Sequence, residues 1–324
     1  MKKQRMGGTP MPLPLKIMPS HSPIHPELRG LVIVPAFNER QSVGKLAHRL
    51  QRALPQFDVL VIDDGSTDDT LRQVPSHAAV VSLPFNLGIG GAMQTGYRYA
   101  ALHGYDVAIQ VDGDGQHRPG EVQRLVNHLV ESNSDMVVGS RFLGDGRYKQ
   151  SITRLVGIGL LSTLIRLLTG FPVTDCTSGF RVINRRVIQA FAYWYPDDFP
   201  EPEVILLLHR SGFKITELGV KMRQRRAGMT SIPLMRGLFY VLQVSTALLL
   251  DMARDPWPSG KIGRAPAQKV SEDDSRLNPG DLRWHAADAG DPPAQEVPAQ
   301  GAVHAAVPDA GASVPAAGRL AAGR

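Results

Sequence analysis

The chain has 324 residues, 43% hydrophobic and 20% charged, enough to bury a sizeable core in one large α/β domain or two small ones. A net charge of +6 and a pI of about 9.5 point to an anionic partner: phosphorylated metabolites, nucleic acid or an anionic membrane. Neither paired Cys/His ligands nor an aromatic-basic motif marks a nucleic-acid module, and the single Cys176 excludes an internal disulfide and suits a reducing compartment.

Residues 1–28 begin with basic residues, but Gly and Pro break every apolar stretch, so they read as a flexible segment rather than a signal peptide. From Leu31 the pattern changes. Short Val/Ile-rich runs at 31–36, 58–63, 78–83, 106–112 and 135–140 predict strands, and 40–53, 89–103 and 119–131 predict helices between them. That rhythm predicts a mostly parallel sheet covered on both faces. Beyond it lie two long apolar stretches, 152–170 and 232–254, interrupted or flanked by arginines and too short to span a bilayer comfortably. Buried core helices are one reading of them. The other, preferred because both lie outside the alternation, is an amphipathic surface against the headgroup region. Residues 255–324 are Ala/Pro/Gly-rich, with few residues able to offset ordering entropy, and predict a disordered tail.

Ligands of parallel sheets bind beyond the carboxyl ends of the strands. Here those ends read PAFNER, DDGSTDDT, PFNLGIGG, DGDGQHRP and GSRF. Any one of them could cap a helix or close a turn. Five on one rim predict a site. A P-loop is absent, and the nearest dinucleotide fingerprint fails because Met93 stands where its last glycine belongs. Asp112 and Asp114 are two residues apart, with Gly113 letting the backbone bend, so both carboxylates can aim at one point. An Asp-Gly turn would explain them. So would a hard divalent cation, Mg²⁺ or Mn²⁺, carrying substrate phosphates. His117 lies close by, but no second His or Cys at ligand spacing supports zinc.

The series VIVPAFNE, VIDDGSTDDT, NLGIGGAMQTGYRYA, VDGDGQH, GSRF and TDCTSGFR, in this order from about Leu31 to Ile232, resembles glycosyltransferase family 2. The nearest style is that of its polyprenyl-phosphate sugar synthases and polysaccharide-assembly enzymes. The resemblance implies a GT-A fold, a Rossmann-like α/β domain over 29–231, and inverting transfer from a nucleoside-diphosphate sugar. It implies that Pro35, Phe37 and Glu39 line the nucleoside pocket. Asp64 would contact base or ribose with Asp63 as helper. Asp112 and Asp114 would serve metal and diphosphate beside Gln116, and Arg141 would face the donor phosphates. Arg225, Gly228 and Thr230 match a basic R-x-x-G-x-[ST] loop closing over the diphosphate; a solvated basic turn is the plainer reading. One position departs: Ile89 stands where the family often has lysine.

Charge builds on a departing nucleoside diphosphate, and a metal with arginines stabilises it most in the transition state. An acceptor hydroxyl also needs a base within hydrogen-bond reach. Asp175, which the resemblance puts near the acceptor, is preferred, and Glu201 follows; Asp198 and Glu203 sit in the same acidic cluster, whose prolines also suit a helix N-terminus. The expected protein is a metal-dependent sugar transferase on the cytoplasmic membrane face, acting on a polyprenyl phosphate or lipid-linked glycan. Alternatives are a non-catalytic nucleotide-sugar binder and a sugar nucleotidyltransferase.

Overall fold

The computed structural model describes residues 28–144, 151–223 and 234–253 and a short strand at 283–285. Expectations for 1–27 and for most of the tail lie outside these residues, as does the Arg225 loop. Strands β1 (Gly30–Ala36), β2 (Phe57–Asp63), β3 (Ala79–Ser82), β4 (Val107–Gln110) and β5 (Met136–Ser140) fall where the apolar runs predict them. So do α1 (Val43–Ala53), α2 (Gly88–Leu102) and α3 (Pro119–Glu131). After them come α4 (Ile152–Thr169), β6 (Arg181–Asn184), α5 (Arg185–Tyr193), α6 (Pro200–Arg210), β7 (Ile215–Gly219), α7 (Leu234–Ala253) and β8 (Arg283–His285).

The sheet order is β7-β5-β6-β4-β1-β2-β3-β8. Every pairing is parallel except those of β6, which runs antiparallel to β4 and β5. That reversal matters for the site. Arg181, at the start of β6, is the register partner of Gln110 at the end of β4. One rim therefore carries the carboxyl ends of the parallel strands and the amino end of β6.

Strand alternation divides the core into two layers. Leu31, Ile33, Leu60 and Ile62 face α2, α4, α5, α6 and α7, while Val32, Val34, Val59 and Val61 face α1 and α3. Local chemistry fixes the helix ends. Val43, Leu46, Ala47 and Leu50 form the buried stripe of α1. Ser151 accepts from the Arg154 amide to cap α4, and left-handed Gly170 ends it. Pro200 opens α6 with Glu201 and Glu203 in its first turn, where the helix dipole favours acids.

Two expectations change. By length and composition α4 is long and apolar enough to cross a membrane. Yet Ile158, Leu161 and Ile165 are buried in the core, and Gly157 lies against Val241 of α7. In the predicted tail, Arg283–His285 pair parallel with Val80–Ser82 as an edge strand. An open edge offers unpaired amides and carbonyls to any short extended segment.

Candidate active site

The rim is built from loops that hold one another. Asn38 adopts a left-handed turn after β1 (φ 56°), receives a hydrogen bond from the Thr67 amide, and donates its own amide to Ser66. Asp64 is buried and accepts from the amides of Leu87 (2.7 Å) and Gly88 (3.0 Å), tying the end of β2 to the start of α2. Burial raises its carboxyl pKa, and the two amides partly offset that. Asp63 accepts from Ser82 on the next strand (3.1 Å). The Glu39 carboxylate accepts from Ser42, while its amide donates to Thr70 (2.8 Å).

The turn after β4 is the most constrained part. A Cβ on Gly113 would stand 2.8 Å from the Pro35 carbonyl oxygen, so only glycine lets this turn lie against β1. The Asp112 amide donates to Nδ1 of His117 (3.0 Å), whose ring stacks on Phe180 with centroids 4.4 Å apart. Burial lowers the His117 pKa to about 4, so the ring is neutral at pH 7. With Nδ1 accepting, the proton sits on Nε2, 3.6 Å from the Asp112 carboxylate. Asp114 accepts from the Gln116 amide (2.9 Å) and side chain (2.6 Å). Arg223, just before the Arg225 loop, donates its amide to the Gln116 carbonyl (2.9 Å). Burial raises the Asp112 pKa, opposed by a hydrogen bond from Gln110 and by the charges of Arg141 and Arg181.

Across the rim, Arg141 binds Asp175 through Nε (2.7 Å) and Nη2 (2.6 Å), and the Arg141 amide donates to the same carboxylate (2.9 Å). Asp175 has 0% exposure. Glu217 on β7 accepts from the amides of Thr174 (2.8 Å) and Asp175 (3.0 Å), fixing the loop beneath it. Glu201 is half-buried at the start of α6. Burial raises its pKa and the Arg181 charge opposes the rise.

The family model described as "Glycosyl transferase family 2" matches residues 31–191. An undecaprenyl-phosphate mannosyltransferase of Micrococcus luteus is 34% identical over 50% of this chain and 69% of its own length. The chain belongs to glycosyl transferase family 2. A polyprenol monophosphomannose synthase of Mycolicibacterium smegmatis is 29% identical over 71% of this chain and 92% of its own. In fold, the chain is similar to glucosyl-3-phosphoglycerate synthase of Mycobacterium tuberculosis, crystallised with Mg²⁺ and uridine diphosphate. That likeness has a TM-score of 0.52 and 25% identity, over 69% of this chain and 79% of that one. The GT-A architecture expected from the motifs is thus the one observed.

For this glycosyltransferase, Pro35, Phe37, Glu39, Asp64, Asp112, Asp114, Gln116, Arg141, Asp175 and Glu201 all lie on the loops and element ends of one rim. Two carboxylates and the Gln116 amide make a hard oxygen set, which suits Mg²⁺ or Mn²⁺ when phosphates complete the shell. Among the described residues no group of three His, Cys, Asp or Glu forms a protein-only cage.

Asp175 is placed differently from the preferred expectation. Fully buried and held at both oxygens by one guanidinium, it has no surface to offer an acceptor hydroxyl. It acts here on Arg141. Four residues with no assigned role in the sequence reading also shape the site: Gln110, Gly179, Arg181 and Glu217. Arg181 and Gly179 were visible in TDCTSGFR as motif letters without a task. No motif marked Glu217, because only the β5–β7 pairing brings it under Asp175.

Proposed function

We propose that this enzyme transfers a sugar from a nucleoside-diphosphate sugar to a polyprenyl phosphate at a membrane surface, with inversion, using Mg²⁺ or Mn²⁺. The observation that carries the reading is the Asp112-Gly113-Asp114 turn, set on one rim with Asp64, Arg141 and Glu201 in a chain similar to two proteins named for polyprenyl-linked mannose. Mannose is accordingly the first sugar to test.

In this reading Phe37, 45% exposed, and Pro35 and Glu39 border the nucleoside, and Asp64 uses the lone pairs left after its two amide bonds. Asp112, Asp114 and Gln116 hold the diphosphate end; the phosphate contact expected of Arg225 lies outside the described residues. A bound metal ion neutralises the charge that grows on the leaving diphosphate.

A phosphate monoester has a second pKa of about 6, so its attacking oxygen is already ionised at neutral pH. That oxygen bonds the anomeric carbon, the bond to the donor phosphate breaks, and the electron pair leaves with the nucleoside diphosphate. No base is required. The sequestration of Asp175 supports this acceptor. A hydroxyl on a lipid-linked glycan is the second reading, favoured by Glu201, whose raised pKa and partial exposure suit a base.

The apolar helix pair α4–α7 supports the membrane surface. Leu238, Leu242 and Leu249 are 60%, 61% and 54% exposed, and Phe199, two residues before Glu201, packs edge-on against Tyr240 of α7. A thermal-shift screen of nucleoside diphosphates and their sugars with Mn²⁺ tests the donor half of the proposal. At a hundred times its dissociation constant a ligand stabilises by about 2.7 kcal/mol. A clear rise for one base is expected; no rise with any nucleoside diphosphate contradicts the reading.

A further inference from the structure

Arg181 is among the largest fully buried side chains of the described residues, 1% exposed, and it enters the rim from β6 opposite Gln110, two residues before Asp112. Its Nε donates to the Ser178 carbonyl (2.8 Å), Nη2 to the Glu201 carbonyl (2.6 Å) and Nη1 to the Pro200 carbonyl (3.5 Å). All three acceptors are neutral main-chain oxygens, and its described ion pairs number none. Burying a cation whose hydrogen bonds all go to neutral carbonyls is expensive even with the Asp112 and Glu201 charges in range, and a hydrophobic side chain of similar size would fill the space at lower cost. Core packing does not account for it.

The three carbonyls explain it better, because one belongs to the turn packed against Asp112 and two to the start of α6, whose Glu201 feels the Asp112 charge. Ser178 leads into Gly179, which lies so close to Asp112 that a Cβ there would stand 2.9 Å from Asp112 Oδ1 and from Gln110 Nε2. Gln110, the register partner of Arg181, hydrogen-bonds Asp112 from below. Pro200 and Glu201 open α6 on the other side. One planar fork thus joins the turn against Asp112 to the first turn of α6. A lysine has three donors but all on one nitrogen, so it does not reproduce bonds that leave from three separate nitrogens of a rigid fork.

We infer that Arg181 is a positioning residue: it holds the Ser178–Gly179 turn and the first turn of α6 in place and so fixes where the Asp112 carboxylate stands. The inference rests on the reading that Asp112 helps hold the donor diphosphate through a divalent ion.

The test is calorimetric titration of the full chain with the nucleoside diphosphate selected by the thermal-shift screen, once with Mn²⁺ and once with EDTA. Wild type, Asp112→Asn, Arg181→Lys and Arg181→Met are compared. Loss of a group that orients a metal ligand typically weakens metal binding about 10–100-fold. Arg181→Lys should therefore lose affinity at least tenfold with Mn²⁺ and keep its metal-free affinity. Arg181→Met, if it folds, should match or exceed that loss. A general loosening of the rim would weaken both titrations alike and overturn the inference. So would wild-type Mn²⁺-dependent affinity in Arg181→Lys while Asp112→Asn loses it. If Asp112→Asn itself binds like wild type, the reading of Asp112 fails first, and the inference with it.

Discussion

Asp114 spends both oxygens on Gln116, so its carboxylate is oriented before any ligand arrives. Asp114→Ala should abolish transfer and remove the Mn²⁺-dependent part of donor binding while barely moving the melting temperature, because a half-exposed rim residue contributes little packing. Near-normal turnover in Mg²⁺ would show that the carboxylate pair has another task. Glu201 separates the two acceptor chemistries. With a phosphate acceptor, Glu201→Gln should keep turnover within a few-fold. With a hydroxyl acceptor it should lose about 10²–10⁴-fold. At this scale the sequence shows which acids and amides stand at the strand ends, and the structure sets Asp112, Asp114 and Gln116 together on one turn. It was silent on partnership: nothing local to Asp175 tells that Arg141 will cover it.

Among the elements, α6 and α7 meet through two buried acids. Glu203 shares a hydrogen bond with Asp251, and burial with that neighbour raises the Glu203 pKa to about 8. The folded chain then keeps a proton that the unfolded chain releases near 4.5. Stability from this group is complete below that value and is lost as pH rises to about 8. Melting curves across this window should fall with pH in wild type and flatten in Glu203→Gln, which should melt higher at the alkaline end. Parallel slopes would contradict the shared proton. The exposed leucines of α7 carry the membrane reading. Wild type should co-sediment with anionic vesicles at low salt and be released by high salt, and polar replacement of Leu238, Leu242 and Leu249 should abolish sedimentation. A wild-type chain left in the supernatant favours a soluble acceptor. At the sheet edge, β8 adds only a short parallel pairing to β3. A chain ending near Ser259 should melt at most a few degrees lower, since a loss of 1 kcal/mol shifts a domain of this size by about 2–4 °C.

For the whole molecule, the alternation of Val/Ile runs with amphipathic stretches was enough to read five parallel strands and three helices, because period and turn residues are local signals. What lay beyond Ser140 was harder. The reversal of β6 depends on the chain after β5, α4 included, coming back to the rim it left rather than to the opposite one, and no residue in RVIN declares a direction. The same reversal carries Arg181 to the rim, so the strand without a sequence signal and the residue without an assigned role share one cause. The apolar α4 and α7 were read correctly as helices, but their partial burial against each other and α6 is a tertiary fact that composition cannot supply.

The central claim is sugar transfer to a polyprenyl phosphate through the Asp112–Asp114 site. It is tested most directly by incubating the full chain with a nucleoside-diphosphate mannose, undecaprenyl phosphate in anionic vesicles and Mg²⁺, and analysing the lipid by mass spectrometry. The account predicts a polyprenyl phosphate heavier by one hexose, formed by wild type, absent with EDTA and absent with Asp114→Ala. A donor that binds with metal yet never yields a sugar-bearing lipid, or a product that Asp114→Ala makes equally well, would contradict it.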